Sequence, residues 1–144
     1  MFGFENGSSH RFTAEAIIET DVRLAQRGSL LRNAQNWDGG MKNLVGFVTQ
    51  NLQHAESHML LLGRKTALER GAAFLLEMHE RQGHPKVMSL PMSRRDIADY
   101  LGLTLETISR AFSMLRDEEL LRFHGTTQRR VEVLKREGLA EMDC

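Results

Sequence analysis

The stretch SRRDIADYLGLTLETISRAF, Ser93 to Phe112, divides at Gly102 into two short amphipathic segments. Ser93 is a favourable N-cap and Asp96 stands three residues on as its acidic partner, so a helix is expected to start there. Ile97, Ala98, Tyr100 and Leu101 supply its apolar side. Gly102 falls where the chain must turn sharply, because glycine adopts positive φ without steric cost. Thr104 caps a second helix, in which Ile108, Ala111, Phe112 and Leu115 recur at i, i+3, i+4 and i+7 and are expected to pack inward. Glu106, Ser109 and Arg110 recur with helical spacing on a different side.

Helix, glycine turn, helix is the pattern of the helix-turn-helix, whose second helix presents its first turns to base edges in the major groove. The exposed stripe carries matching chemistry: arginine donates twice to guanine O6 and N7, and glutamate accepts from the cytosine amino group. Serine contacts either a base or a phosphate. Ser93, Thr104 and Thr107 are placed to hold the phosphate backbone at the helix N-termini, with Arg94 and Arg95 neutralising it. The pattern alone also fits a two-helix corner of an ordinary core with a solvated polar face. The adjoining segment tells against that reading, since LLRFHGTTQRRVEVL (120–134) holds two strand-like pieces, Leu120 to Phe123 and Arg129 to Leu134, around a turn-forming HGTTQ. A helix-turn-helix followed by a small basic hairpin is a winged helix. Formal net charge is zero over the chain, yet between Lys86 and Arg136 ten lysines and arginines stand against seven acids.

Upstream, Val48, Leu52, Ala55, Met59 and Leu62 are spaced by four, three, four and three residues, which is a coiled-coil seam of about two heptads. Periodicity alone leaves open whether that seam is buried in the protein's own core or pairs with another chain. Gly63 is expected to interrupt this helix, and TALE, Thr66 to Glu69, has the spacing of a capping box that starts a new one. Leu68, Ala72, Leu75, Leu76 and His79 mark its buried side, and RQGHP, Arg81 to Pro85, ends it. KVMSLP comes next as a connection or a short strand. Residues 1 to 31 differ from the rest: turn signals at Gly3, Gly7, Ser8 and Ser9 precede an alternation through Phe12, Ala14, Ala16 and Ile18 and again through Val22 and Leu24. This predicts a β-hairpin or a fragment of a larger sheet, and an isolated hairpin is marginal in water.

MSRRDIADYLGLTLETISRAFSMLRDEELL resembles the DNA-binding domain of the Crp/Fnr superfamily of bacterial regulators, nearest to its FixK and Fnr branches. The match is strong over Leu90 to Phe123, and HMLLLGRKTALERGAAFLLEM resembles more loosely the end of the family's dimerisation helix and the helix after it. The fold implied is α+β and mainly helical: a remnant of a β-roll over 1–36, a dimerisation helix over 37–63 and a winged helix-turn-helix over 64–144. By this resemblance Val48, Leu52, Ala55, Met59 and Leu62 form a homodimer interface. The family's base-reading pattern falls on Glu106, Ser109 and Arg110, implying a palindromic site with TTGAT-like half-sites, and Leu105 is placed to touch a thymine methyl. Family phosphate contacts match Ser93, Arg94, Thr104 and Thr107, and His124 and Gly125 lie where the wing approaches the backbone.

The implied function is a sequence-specific transcription regulator on double-stranded DNA, activation being the commoner family habit, with RNA polymerase a candidate partner. The alternative is a shortened regulator that acts as a dimerisation module on full-length relatives. Only the final strands of the family's β-roll sensor have a counterpart. The serine that comes after the arginine of the cyclic-nucleotide turn is replaced, since Arg11 is followed by Phe12, and the N-terminal cysteines of the iron-sulfur type are absent. No cofactor is expected.

Other chemistries find little support. The single cysteine, Cys144, excludes an internal disulfide, and a frayed terminal thiol is its expected state. His54 and His58 lie one helical turn apart, but the glutamate of a zinc protease is replaced by Ala55 and a third ligand is missing, so no metal site is expected. His79 and His84 have no obvious partners in the sequence. Met59, Met78 and Met114 fall at helical core positions, where methionine fills gaps. No nucleophile elbow, phosphate-cradling loop or paired carboxylates stand out, which argues against an enzyme. MFGFENGSSHRF lacks the basic start and apolar core of a secretory signal, and no apolar run approaches the roughly 20 residues of a membrane span. A cytoplasmic protein without a membrane partner is expected.

Overall fold

A computed structural model describes residues 13–142, and of Arg27 only the backbone. In chain order the elements are α1 (Arg27–Asn36), α2 (Gly40–Arg64), α3 (Ala67–Arg81), β1 (Val87–Ser89), α4 (Arg94–Tyr100), α5 (Leu105–Asp117), β2 (Leu121–His124), β3 (Arg130–Val133) and α6 (Arg136–Glu141). The chain divides into two compact units, Met1–Met59 and Leu60–Cys144.

In the first unit the expected strands do not form: residues 13–26 hold no strand, and Ile17, Ile18, Val22 and Leu24 are exposed. The alternation is weak, because adjacent Ile17 and Ile18 put apolar groups on both faces, and the described residues offer no sheet to pair the backbone groups of an extended segment there. Phe12 and the residues before it lie outside the described residues, as does Cys144. Residues expected to close the β-roll form α1 instead, with Leu30, Leu31 and Ala34 half-buried on one stripe. A turn through Gly39 (φ +76°) leads into α2, whose first residue must be small because a Cβ on Gly40 would lie 2.7 Å from the Ala34 carbonyl oxygen.

In the second unit α2 runs through Gly63 to Arg64 and is not interrupted there. A glycine costs a helix about 1 kcal/mol, which is too little to end one whose last carbonyls are satisfied. Arg70 satisfies them: its Nη2 donates to the Leu62 carbonyl at 2.7 Å and its Nε to that of Lys65 at 2.9 Å. Its Nη1 donates to the Leu101 carbonyl at 3.0 Å, so one guanidinium also closes the end of α4.

Thr66 and Glu69 form the expected capping box at the start of α3. The helix buries Ala72, Phe74, Leu75 and Met78. It lies close to α5 at Gly71, where a Cβ would stand 3.2 Å from the Phe112 ring and 3.4 Å from Ile108 Cδ1. Ile97, Ala98, Leu101, Ile108, Phe112 and Leu115 join the same core from α4 and α5. The antiparallel sheet has the order β1-β3-β2, with Met88 opposite Val131 and Phe123 opposite Val131 on the other side. Met88, Leu121 and Val131 are buried, so one face of the sheet closes the core. Short α6, for which the sequence carries no clear signal, adds buried Leu139.

Two of the three methionines expected in the core are outside it, with Met59 63% and Met114 54% exposed, whereas Met78 is buried. His79 and His84 find each other: their Nδ1 atoms are 3.3 Å apart, and His79 Nε2 lies 3.1 Å from the Pro85 carbonyl. The turn that brings them together places Gly83 and His84 at φ +73° and +59°.

Candidate nucleic-acid interface

Ser93 Oγ accepts from the Asp96 amide at 3.2 Å, and the Ser93 amide donates to Asp96 Oδ2 at 2.7 Å. The Ser93 hydroxyl first and the Ser93 amide second hold the Asp96 carboxyl below its usual range. After α4 the chain reverses at Gly102 (φ +61°), with the Leu103 amide donating back to the Ala98 carbonyl. Thr104 Oγ1 then accepts from the Thr107 amide at 3.2 Å and lies 2.9 Å from the Thr107 hydroxyl. Both caps of the helix-turn-helix are therefore formed by the residues the spacing singles out.

Helix α5 sorts its side chains by environment. Ile108, Ala111, Phe112 and Leu115 are buried, whereas Glu106 and Arg110 are exposed and Ser109 is half-exposed. Leu105, at the start of the helix, is also exposed. Arg110 stands between two open hollows. One, of about 460 Å³, runs along the outer side of α5 past Ser109, Ser113, Met114 and Asp117. The other, of about 290 Å³, lies against the start of α3 and is lined by Thr66, Leu68, Thr107 and Met114. Ser109 donates to the Leu105 carbonyl at 2.6 Å, a bond to the preceding turn of its own helix.

The residues expected to face phosphate are less uniform in their surroundings. Arg95 is exposed at the start of α4, and Gly125 is exposed at φ +75° in the wing turn. Arg94 departs from the expectation, because its guanidinium turns inward. Its carbon lies 4.2 Å from the Phe112 ring centroid and 5.1 Å from that of Phe123. Its Nη2 donates to Gln128 Oε1 at 3.2 Å, while Nη1 is buried without a hydrogen-bond partner. Burial pushes this guanidinium down to about 10, still protonated at neutral pH. His124 is half-buried, its Nε2 lying 3.1 Å from Glu132 Oε2, which also accepts from Arg122 at 3.4 Å. Among the described residues no group of three or more histidine, cysteine or acidic side chains is arranged to hold a metal, and no helix is long and apolar enough to cross a membrane.

Comparison with known proteins places this architecture. The family model for the Crp-like helix-turn-helix domain matches residues 69–142, which is half of the chain. The chain belongs to the Crp/Fnr family. Nitrogen fixation regulation protein FixK of Rhizobium meliloti is 42% identical over 142 residues, covering 99% of this chain and 63% of its own length. The transcriptional activatory protein AadR of Rhodopseudomonas palustris is 42% identical over 125 residues, covering 84% of this chain and 52% of its own length. The solved structure of FixK2 from Bradyrhizobium japonicum superposes with a TM-score of 0.77 at 48% identity, covering 83% of this chain and 60% of that one. This Crp/Fnr chain thus spans between 52% and 63% of the length of those relatives.

Sequence reasoning about the Crp/Fnr site misses the residues that act on its members from a distance. Phe123 and Gln128 reach Arg94 across a separation of up to 34 residues, and Glu132 meets His124 across the hairpin. Once the hairpin register is assumed, Glu132 lies beside the expected wing position, opposite Arg122 and two residues from the row of His124, on the same face. No comparable signal marks the Arg94 environment.

Proposed function

We propose that this chain is a sequence-specific DNA-binding transcription regulator that acts as a homodimer on a two-fold symmetric, TTGAT-like site. The observation that carries the reading is the division of α5, with Glu106 and Arg110 open to solvent and Ile108, Ala111, Phe112 and Leu115 sealed into the domain. Such a helix enters a major groove without unfolding anything behind it. Arg110 donates to guanine O6 and N7, Glu106 accepts from a cytosine amino group, Leu105 meets a thymine methyl, and Ser109 adds a further base contact. Ser93, Arg95, Thr104, Thr107, His124 and Gly125 supply backbone contacts. The partner surface is α2, on which Val48 (46%), Leu52 (56%), Ala55 and Met59 are exposed in the single chain along one heptad stripe, with half-buried Leu62 continuing it. Activation is inferred from the names of relatives such as AadR, and RNA polymerase is the corresponding partner.

The test is anisotropy titration of the full chain against the symmetric site and against single-base variants at fixed salt. Arg110→Ala should cost about 1–3 kcal/mol on the intact site and relax the preference for guanine, whereas Arg95→Ala should weaken all sequences alike. Full guanine discrimination in the Arg110 variant sinks direct readout. A second reading, mixed dimers with longer relatives through the same stripe, is favoured by the 42% identity to FixK that extends over α2. Capture of such a relative by the tagged chain, with no binding of the site by the chain alone, would select it.

A further inference from the structure

We infer that Arg94 is a positioning residue: it holds the wing against the recognition helix through Phe112, Phe123 and Gln128 and does not itself contact a DNA phosphate. The inference rests on the DNA-binding reading above, but its geometry stands alone. Arg94 is the first residue of α4, and the next residue, Arg95, is exposed. Arg94 reaches inward instead.

The two rings it covers come from different elements, Phe112 from α5 and Phe123 from β2, and they stack on each other with centroids 5.8 Å apart at 26°. A guanidinium over two aromatic faces is attracted by both, and more strongly as water is excluded. The hydrogen bond to Gln128 adds a third anchor at the far end of the wing turn, where Gln128 sits at φ +51°. One side chain thus joins α4, α5, β2 and the β2–β3 turn. Arg122 and His124 also bond to Glu132, but those bonds run between the wing's own strands and fix the hairpin internally without fixing its angle to α5. The buried Nη1 shows how far the group is withdrawn: pulling it out to a phosphate would break the two ring contacts and the Gln128 bond together. A lysine at this place keeps the charge but lacks the flat face and the fork.

The two roles differ in their salt signature. Each phosphate neutralised contributes about −0.9 to the slope of log K against log[salt] on duplex DNA. A positioning residue lowers K and leaves that slope alone. The experiment uses the full chain in four forms: unaltered, Arg94→Met, Arg94→Lys and Gln128→Ala. Binding to the symmetric site is followed at five salt concentrations, and hydrogen exchange of residues 121–133 is followed without DNA.

Arg94→Met should weaken binding about tenfold with an unchanged slope, Arg94→Lys should recover little of the loss, and Gln128→Ala should show a smaller loss of the same kind. In the free protein the amides of β2 and β3 should exchange several-fold faster in Arg94→Met, with those of α3 unaltered. A slope reduced by about 0.9 per subunit in Arg94→Met, or full recovery by Arg94→Lys, overturns the inference. Unchanged wing exchange does so as well. If the unaltered chain binds no DNA at any salt, the functional reading fails, and the exchange comparison still decides the role of Arg94. Should Arg94→Met not fold, binding by Arg94→Lys at the level of the unaltered chain, or unchanged wing exchange in Gln128→Ala, overturns the inference.

Discussion

Replacing Arg70 by Met removes a guanidinium that closes three backbone carbonyls while keeping a side chain of similar length. The carbonyls are those of Leu62, Lys65 and Leu101, at 2.7, 2.9 and 3.0 Å. A hydrogen bond to a charged group is worth about 1.5–3 kcal/mol net when buried. Arg70 is only half-buried and water can reach some of the freed carbonyls, so about 1 kcal/mol per bond is the better figure, and the total loss comes to about 3 kcal/mol. For a domain the size of the Leu60–Cys144 unit this lowers Tm by about 12–24 °C. Lysine at position 70 keeps the charge but concentrates it on one atom, which cannot serve three carbonyls spread over two helix ends; about half the loss should remain. Urea unfolding followed by far-ultraviolet circular dichroism measures the stability. Hydrogen exchange at Gly102 and Leu103, whose amides bond to the carbonyls of Asp99 and Ala98, reports loosening of the turn. A loss under about 0.5 kcal/mol at constant m-value, or a Lys variant equal to the unaltered chain, refutes the capping argument.

The caps and the seam carry two more expected outcomes. The carboxyls of Asp96 and Glu69 are both held below their usual values, Asp96 first by the Ser93 hydroxyl and Glu69 first by the Thr66 amide. Depressed native values mean a contribution to stability that is complete above the ordinary carboxylate range and is lost as the pH falls through it towards the depressed values. Thermal unfolding between pH 6 and about pH 2.5 should therefore show a decline that the Asp96→Asn, Glu69→Gln double variant flattens; equal pH slopes in the two proteins exclude this origin. Leu52→Lys, placed in the middle of the exposed α2 stripe, should leave circular dichroism unchanged and shift sedimentation towards monomer by at least tenfold in dissociation constant.

The helix-turn-helix is legible in the sequence because its determinants are local. Ser93 with Asp96, Thr104 with Thr107, and Gly102 between them each act within a few residues, so spacing alone locates them. The buried quartet of α5 can be read from one helical period for the same reason. The wing is legible from its turn residues, although the first strand, Leu121–His124, is shifted one residue along from its expected run and the second, Arg130–Val133, is shorter than its run. The failures lie where the outcome depends on distant matter. Strand-like alternation over 13–26 needs a sheet to pair with, and the described residues supply none there. Gly63 reads as a helix end because its intrinsic cost is visible in sequence, whereas the Arg70 bonds that help hold α2 to Arg64 are not. Residue type alone assigns Arg94 to solvent, and two aromatic rings from other elements decide otherwise.

The bond from Ser109 to the Leu105 carbonyl carries a restriction of its own. A hydroxyl has one proton, and here it is already committed to the turn beneath. While that bond holds, the oxygen offers the outside world lone pairs only, so a phosphate, itself an acceptor, gains nothing from it. What complements the group is an amino hydrogen, and on the floor of the wide groove that means adenine N6 or cytosine N4. A helix that bonds its own serine in this way has narrowed what the serine can recognise before any nucleic acid arrives.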